Sequence, residues 1–272
     1  MKSWVIGLLA LPFSVFAGER VIAIGGDVTE IIYALGAGQT LVARDSTSQQ
    51  PPQATALPNV GYMRQLNAEG ILAMKPSLVI ASDLAQPSLA LRQVEQAGVE
   101  VVTVTGKPEL GAIDEKIAVI AATLGREKEG KALQAKLDRQ IAAVPTHRLP
   151  VRVLFIMAHT GIAAMGAGNG TAAEGAIRSA GLDNALAGVT RYQPLTQEGL
   201  VAAAPQLLVI GKASLQRMGG EANLWALPGL AFTPAGKQRQ LLVIDDNALL
   251  SFGLDMPTAI GQLRQAAEAV AP

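Results

Sequence analysis

The chain has 272 residues, with 22 Lys+Arg balanced by 22 Asp+Glu and no cysteine. A formal net charge of zero gives no electrostatic case for binding nucleic acid or an anionic membrane surface. The missing cysteine excludes disulfides, thiolate metal ligands, a thiol nucleophile and the acylated cysteine of a lipoprotein.

Residues 1–17 read as a secretory signal peptide. Lys2 supplies the positive start, Val5 to Leu11 the apolar run, and Val15-Phe16-Ala17 a small-residue cleavage site. The run is shorter than the roughly 20 residues that span a membrane. The plainer alternative is a buried first strand or helix. An exported, untethered, cysteine-free chain suits a bacterial periplasm.

Arg20 to Ile24 is a short apolar strand running into Gly25-Gly26-Asp27. Val28 to Leu35 then has helical spacing, with Asp27 as its N-cap and Gly36 as its stop. Leu41-Val42-Ala43 is a second strand, followed by a polar loop. A helix near Leu66 to Met74, a break at Pro76 and a strand Leu78 to Ala81 come next. Pro87 to Ala97 is helical and Val99 to Val104 a strand. Apolar strands alternating with helices predict a parallel α/β sheet. Residues 18–110 form this first lobe.

Residues 111–144 differ. Ile113, Ile117, Ile120, Leu124, Leu133, Leu137 and Ile141 keep roughly helical spacing, weakened by Gly125 and Gly130. This predicts one long helix, bent near the glycines, bridging two lobes. Residues 145–272 restart the alternation: strand Val151 to Met157, a Gly-rich stretch His159 to Gly170, helix Thr171 to Ala180, helix Thr196 to Ala203, strands Leu207 to Ile210 and Leu241 to Asp245, and a closing helix Pro257 to Val270.

The two lobes share a sentence. Leu66 to Ile80 recurs as Leu195 to Val209, with six of fifteen positions identical and four more exchanging one aliphatic side chain for another. The spacing is too long for a solenoid, whose periods run about 20–50 residues. The fold class expected is α/β: two similar lobes around parallel-type sheets, joined by the bridging helix, with a ligand cleft between them. In open α/β sheets ligands sit beyond the carboxyl ends of the strands.

The loops ahead of the two copies each carry one Tyr and one Arg: Tyr62 with Arg64, and Tyr192 with Arg191. A phenolate is a hard anionic donor suited to ferric iron, and Tyr is a haem axial-ligand type. Free Tyr titrates near about 10, and a neighbouring guanidinium favours the charged form. The bland alternative is a surface aromatic beside an unrelated Arg. His159 opens the Gly-rich stretch at a cleft position and could ligate iron or hydrogen-bond a ligand, or simply be satisfied by backbone. The Gly-rich stretch itself suggests close approach of a flat ligand. Tyr33 reads as core packing and His147, in a polar linker, as solvated. Glu69 and Glu198 occupy matched repeat positions; each is also explained singly as a first-turn carboxylate favoured by the helix dipole. No H-E-x-x-H or G-x-S-x-G occurs, so an exported metal-dependent α/β enzyme is a poor rival.

Leu66-x-x-Glu69-Gly70-x-x-Ala73-x-x-Pro76-x-Leu78 and its copy from Leu195 to Leu207 resemble the paired lobe motifs of substrate-binding proteins of bacterial ABC importers for vitamin B12, ferric siderophores and haem. Gly61-Tyr62-x-Arg64 and the segment around His159 to Ala180 are similar to the periplasmic haem-binding branch. That resemblance implies haem as the transported ligand, Tyr62 as axial iron ligand supported by Arg64, and His159 as a second ligand. It also implies Glu69 and Glu198 docking to arginines of an ABC importer permease dimer. The repeat sets Tyr192 and Arg191 on the wall opposite Tyr62, so that His159 or Tyr192 contacts the far side of the haem, and Arg191 and Lys212 are the candidates to meet its propionates. A siderophore or cobalamin carrier would share the fold and the glutamates. The protein is expected to be a monomer and not an enzyme.

Overall fold

The computed structural model describes residues 19–158 and 164–271; residues 1–17, expected to be a signal peptide, and His159 lie outside the described residues. The first lobe contains β1 (Val21–Ile24), α1 (Gly26–Ala34), β2 (Leu41–Arg44), α2 (Ala68–Ala73), β3 (Leu78–Ser82), α3 (Leu89–Gln96) and β4 (Glu100–Val104). Its four strands are all parallel, in the order β2-β1-β3-β4.

Two helices follow, α4 (Leu110–Thr123) and α5 (Glu127–Ala142). The second lobe holds β5 (Arg152–Met157), β6 (Met165–Ala167), α6 (Ala172–Ser179), β7 (Asp183–Asn184), β8 (Tyr192–Pro194), α7 (Gln197–Ala203) and β9 (Leu207–Gly211). It closes with α8 (Lys212–Arg217), α9 (Glu221–Trp225), α10 (Pro234–Gln238), β10 (Leu241–Ile244), α11 (Asp246–Leu250) and α12 (Met256–Val270). Its sheet runs β10-β9-β5-β6-β8, parallel among β10, β9 and β5 and antiparallel at β6, with β7 added beside β5.

Alternate strand residues divide between different cores, as a pleat with both faces covered requires. Ile22, Ile24, Val79 and Ala81 bury into a core private to the first lobe, and Leu154, Ile156, Leu208 and Ile210 into one private to the second. Val21, Ala23 and Ile80 face the other way and join Val153, Phe155 and Val209 in a single core shared by both lobes and the bridge. Ile113, Ile117 and Leu137 of the bridge belong to it too. The lobes are therefore welded along one side by apolar packing, which favours small relative motions over wide hinge closure.

The bridge is not one helix. Gly125, at φ +62, ends α4 in the left-handed region, where glycine carries no Cβ penalty. The chain then folds back as a hairpin. A Cβ on Gly130 would sit 2.6 Å from that of Ala121, so this glycine is the contact that lets the helices approach, and Gln134 Nε2 donates to Asp114 O at 2.9 Å. α4 packs on α1 and β4 of the first lobe, whereas α5 reaches α12 of the second. Helical periodicity runs through both helices because both face the shared core; the turn is visible only in Gly125.

The duplicated segment folds twice with the same local chemistry. Asn67 caps α2 by accepting from Gly70 N at 3.1 Å, and Thr196 caps α7 by accepting from Gly199 N at 3.0 Å. Lys75 and Ala204 then turn left-handed, at φ 51 and φ 41, just before Pro76 and Pro205. An arginine one residue ahead of, or opening, the adjacent strand clamps each turn: Arg20 Nε donates to Lys75 O at 2.8 Å and Arg152 Nε to Ala204 O at 3.0 Å. The pseudo-symmetry thus extends to residues outside the repeated sentence. Asp27 is not an N-cap: Gly25 holds that place, with no side-chain cap bond. Its carboxylate instead meets Lys116 Nζ at 2.7 Å, both side chains nearly free of solvent.

Candidate ligand cleft between the lobes

The loop bearing Tyr62 is held by the chain that follows β2, where Ser46 N donates to Gly61 O at 2.8 Å and Val60 N to Arg44 O at 2.9 Å, and the Asp45 carboxylate orders that chain. That carboxylate, 0% exposed, accepts from Gly25 N (3.0 Å), Thr47 N (2.9 Å), Thr47 Oγ1 (2.7 Å) and Ser48 Oγ (2.6 Å). Arg44 adds bonds to the carbonyls of Ala54 and Asp45, both at 3.0 Å. Asp45 was missed in the sequence, although Asp-Ser-Thr-Ser directly after a strand is a turn signature with a mechanism. Gly61, at φ +105, opens the corner, and Gln65 N closes a turn on Tyr62 O at 2.7 Å. Within this turn Met63 is buried while Tyr62 and Arg64 stay exposed, Tyr62 by 44%. One apolar anchor between two outward side chains fixes the direction of both.

Across the gap, Tyr192 begins β8 and packs against the shared core. Burial pushes its phenol up to about 12, the Arg64 guanidinium pulls it down, and the Tyr62 phenol pushes it up. Arg64 and Tyr62 therefore lie within electrostatic reach of Tyr192, although they come from the opposite lobe. The structure brings these three together. At pH 7 Tyr192 is a neutral phenol, able to donate a hydrogen bond.

Arg191 precedes Tyr192 in a left-handed conformation, φ 60, with its side chain exposed. Its backbone is clamped to the glycine-rich segment: Arg191 N donates to Asn169 O at 2.9 Å, and Gly168 N to Arg191 O at 2.8 Å. Two of the described glycines of that segment, Gly166 and Gly168, do not make room for a flat ligand, whereas a side chain on Gly170 would meet open space. Added Cβ atoms on Gly166 and Gly168 would collide with Leu186 and with the Val189 carbonyl. These glycines admit neighbouring chain, which is what lets β6 and β8 pair.

Lys212 stands apart. It opens α8 directly after β9, which β5 and β6 separate from β8, and lines a cavity of about 230 Å³ with Asp245 and Asp255. Tyr33, partly buried against the shared core, lines a second cavity of about 390 Å³. His147 is not simply solvated: its Nε2 lies 2.6 Å from Arg264 Nη2, and its carbonyl accepts from Arg264 Nη1 at 2.6 Å. Glu69 and Glu198 are both exposed in the first turns of α2 and α7. Asp246 caps α8 by accepting from Ala213 N at 2.6 Å and Ser214 N at 3.2 Å, a structural role. Among the described residues no group of three His, Asp or Glu side chains converges as a metal site, and no helix is long and apolar enough to cross a membrane.

A family model described as periplasmic binding protein matches residues 21–248, both lobes and the bridge. The chain belongs to that family. Among solved structures, a periplasmic haem-binding protein from Roseiflexus sp. RS-1, RhuT in its apo form, superposes with a TM-score of 0.85 at 37% identity, covering 92% of this chain and 100% of that one. The periplasmic haem-binding protein BhuT, solved in complex with two haems, gives a TM-score of 0.85 at 41% identity over 93% of this chain and 99% of its own. A vitamin B12-binding protein of Pectobacterium atrosepticum is 27% identical over 220 residues, 78% of each chain. The protein is thus a periplasmic-type substrate-binding protein of the haem, vitamin B12 and siderophore group, and its relatives are binding proteins, not enzymes.

Proposed function

We propose that the protein carries haem through the periplasm and delivers it to the permease dimer of an ABC importer. The observation that carries this reading is the convergence of Tyr62 and Arg64 from one lobe on Tyr192 from the other. The two similar structures are both of periplasmic haem-binding proteins, in agreement with it. Tyr62 is the iron ligand, because it is the exposed phenol and sits in the same turn as the Arg64 side chain. Tyr192 donates a hydrogen bond from the far wall, and Arg191 beside it is free to meet a propionate. His159, which follows β5 in the sequence, is proposed as a second contact to the ligand. Residues 1–17 are removed on export, and the carrier acts as a monomer.

An absorbance titration tests this directly. Purified protein mixed with ferric haem gives a saturating Soret shift with a stoichiometric break, and cobalamin in a parallel titration gives none. The cobalamin reading, favoured by the Pectobacterium relative, takes over if the two outcomes are reversed.

Glu69 and Glu198 sit on separate helices with no role in either lobe's core, at matched positions on two matched capped turns. We assign them to arginines on the two permease subunits. The double variant Glu69→Arg/Glu198→Arg keeps the wild-type haem titration and loses haem delivery to transporter reconstituted in vesicles, because like charges now face across the contact.

A further inference from the structure

Lys116, fully buried on α4, ties three parts of the molecule together. Its ammonium meets Asp27 Oδ2 on α1 at 2.7 Å and Phe252 O of the second lobe at 2.8 Å. One turn further along α1, the Glu30 carboxylate accepts from the Leu254 backbone N–H. Gly253 makes that approach possible, since a Cβ there would lie 2.7 Å from Glu30 Oε2. Phe252 holds φ +50, an uncommon conformation for an aromatic residue, and is 2% exposed. The segment Phe252–Asp255 is thus drawn into the first lobe by polar groups while both its flanks belong to the second.

We propose that this junction is a proton-operated latch: with a proton on Glu30 the Phe252–Asp255 segment stays seated on α1 and α4, and loss of that proton lets the two lobes ease apart. The inference holds for any ligand of the cleft and does not depend on haem. Glu30 faces Asp27 on its own helix, Lys116 from α4 and Asp255 at the start of α12. Burial first, then Asp255 and Asp27, push its carboxyl up to about 8, against the Leu254 N–H and Lys116. The cavity of about 390 Å³ lined by Glu30, Tyr33, Gln50, Leu254 and Asp255 gives protons and water a route to it.

The sign follows from linkage. A carboxyl that titrates near 8 when seated, and near its ordinary 4.5 when hydrated, binds its proton more tightly in the closed state. Latch stability is complete below about pH 4.5 and falls as pH rises, by up to about tenfold in the closed-to-open ratio per unit, until about pH 8. Above that the ratio is level.

The absence of cysteine makes the test clean. Gln96→Cys and Gln238→Cys, one exposed position on each lobe, carry spin labels for interlobe distance distributions between pH 5 and 9. The expected result is a longer-distance component that grows with pH up to about 8 in the otherwise native protein and is pH-independent in Glu30→Gln. Glu30→Gln keeps an acceptor for Leu254 N–H and has no proton to lose. A distance distribution unchanged with pH, or the same pH response in Glu30→Gln, overturns the latch. Thermal stability that varies with pH while the distances do not assigns Glu30 a merely structural role and also overturns it.

Discussion

Tyr62→Phe should bind ferric haem at least about 100-fold more weakly than the native chain and lose its phenolate-to-iron charge-transfer absorption. The ring is kept, so packing in the cleft is nearly unchanged; only the oxygen that reaches iron is removed. Changes one shell further from a metal already cost about 10–100-fold, so loss of the ligand itself lies at or beyond that range. Tyr192→Phe is the informative comparison. Its hydroxyl is held to about 12, so iron would have to displace a tightly held proton to use it. Removing it costs one hydrogen bond, about 0.5–1.5 kcal/mol, or roughly tenfold or less in affinity, with the charge-transfer band retained. If Tyr192→Phe abolishes the band and Tyr62→Phe does not, the two walls of the cleft have exchanged roles. Arg64→Ala should fall between them, because its guanidinium shares the Tyr62 turn and acts on the Tyr192 phenol across the gap.

The lobes were legible because the repeated sentence encodes a complete local device. Cap, helix, left-handed residue, proline and strand all lie within fifteen residues, and each is set by near neighbours. The same locality explains the errors. Asp27 stands where an N-cap would, and only the fold reveals its true partner, Lys116, 89 residues away. Gly125 and Gly130 look alike in sequence, yet one makes a turn and the other a helix contact. Strand β8 escaped notice because it is three residues long and follows a left-handed arginine, so no alternation announces it. The Tyr62 and Arg64 turn was readable as a motif, but the backbone bonds from residues 44 and 46 that hold it depend on how the chain returns past β1. The repeat also placed Tyr62 and Tyr192 in matched loops, and it is their environments that separate them: one exposed beside its arginine, the other partly buried against the shared core.

That shared core sets the second large effect. Lys116→Met should destabilise the folded protein by about 3–5 kcal/mol, the cost of leaving one partner of a buried ion pair without its counter-charge. The deletion strands the Asp27 carboxylate and removes the donor to the Phe252 carbonyl, in a site where side-chain exposure is 0% for Lys116 and 4% for Asp27. A surface pair such as Arg148–Asp183, with exposures of 77% and 39%, should change stability by no more than about 1 kcal/mol when broken. Urea unfolding at pH 7 separates the two cases: with a slope of ~3 kcal/mol/M the Lys116→Met midpoint falls by about 1 M or more. The double variant Asp27→Leu/Lys116→Met decides what the pair is for. Replacing both charges by apolar groups removes the desolvation cost along with the attraction, and such swaps are often near neutral. Recovery of most of the lost stability, together with interlobe distances that no longer hold to a single value, would show that the buried pair sets the spacing of the lobes more than it stabilises the chain. A double variant as unstable as the single one would mean that the junction depends on Lys116 reaching the Phe252 carbonyl, a contact no apolar side chain can replace.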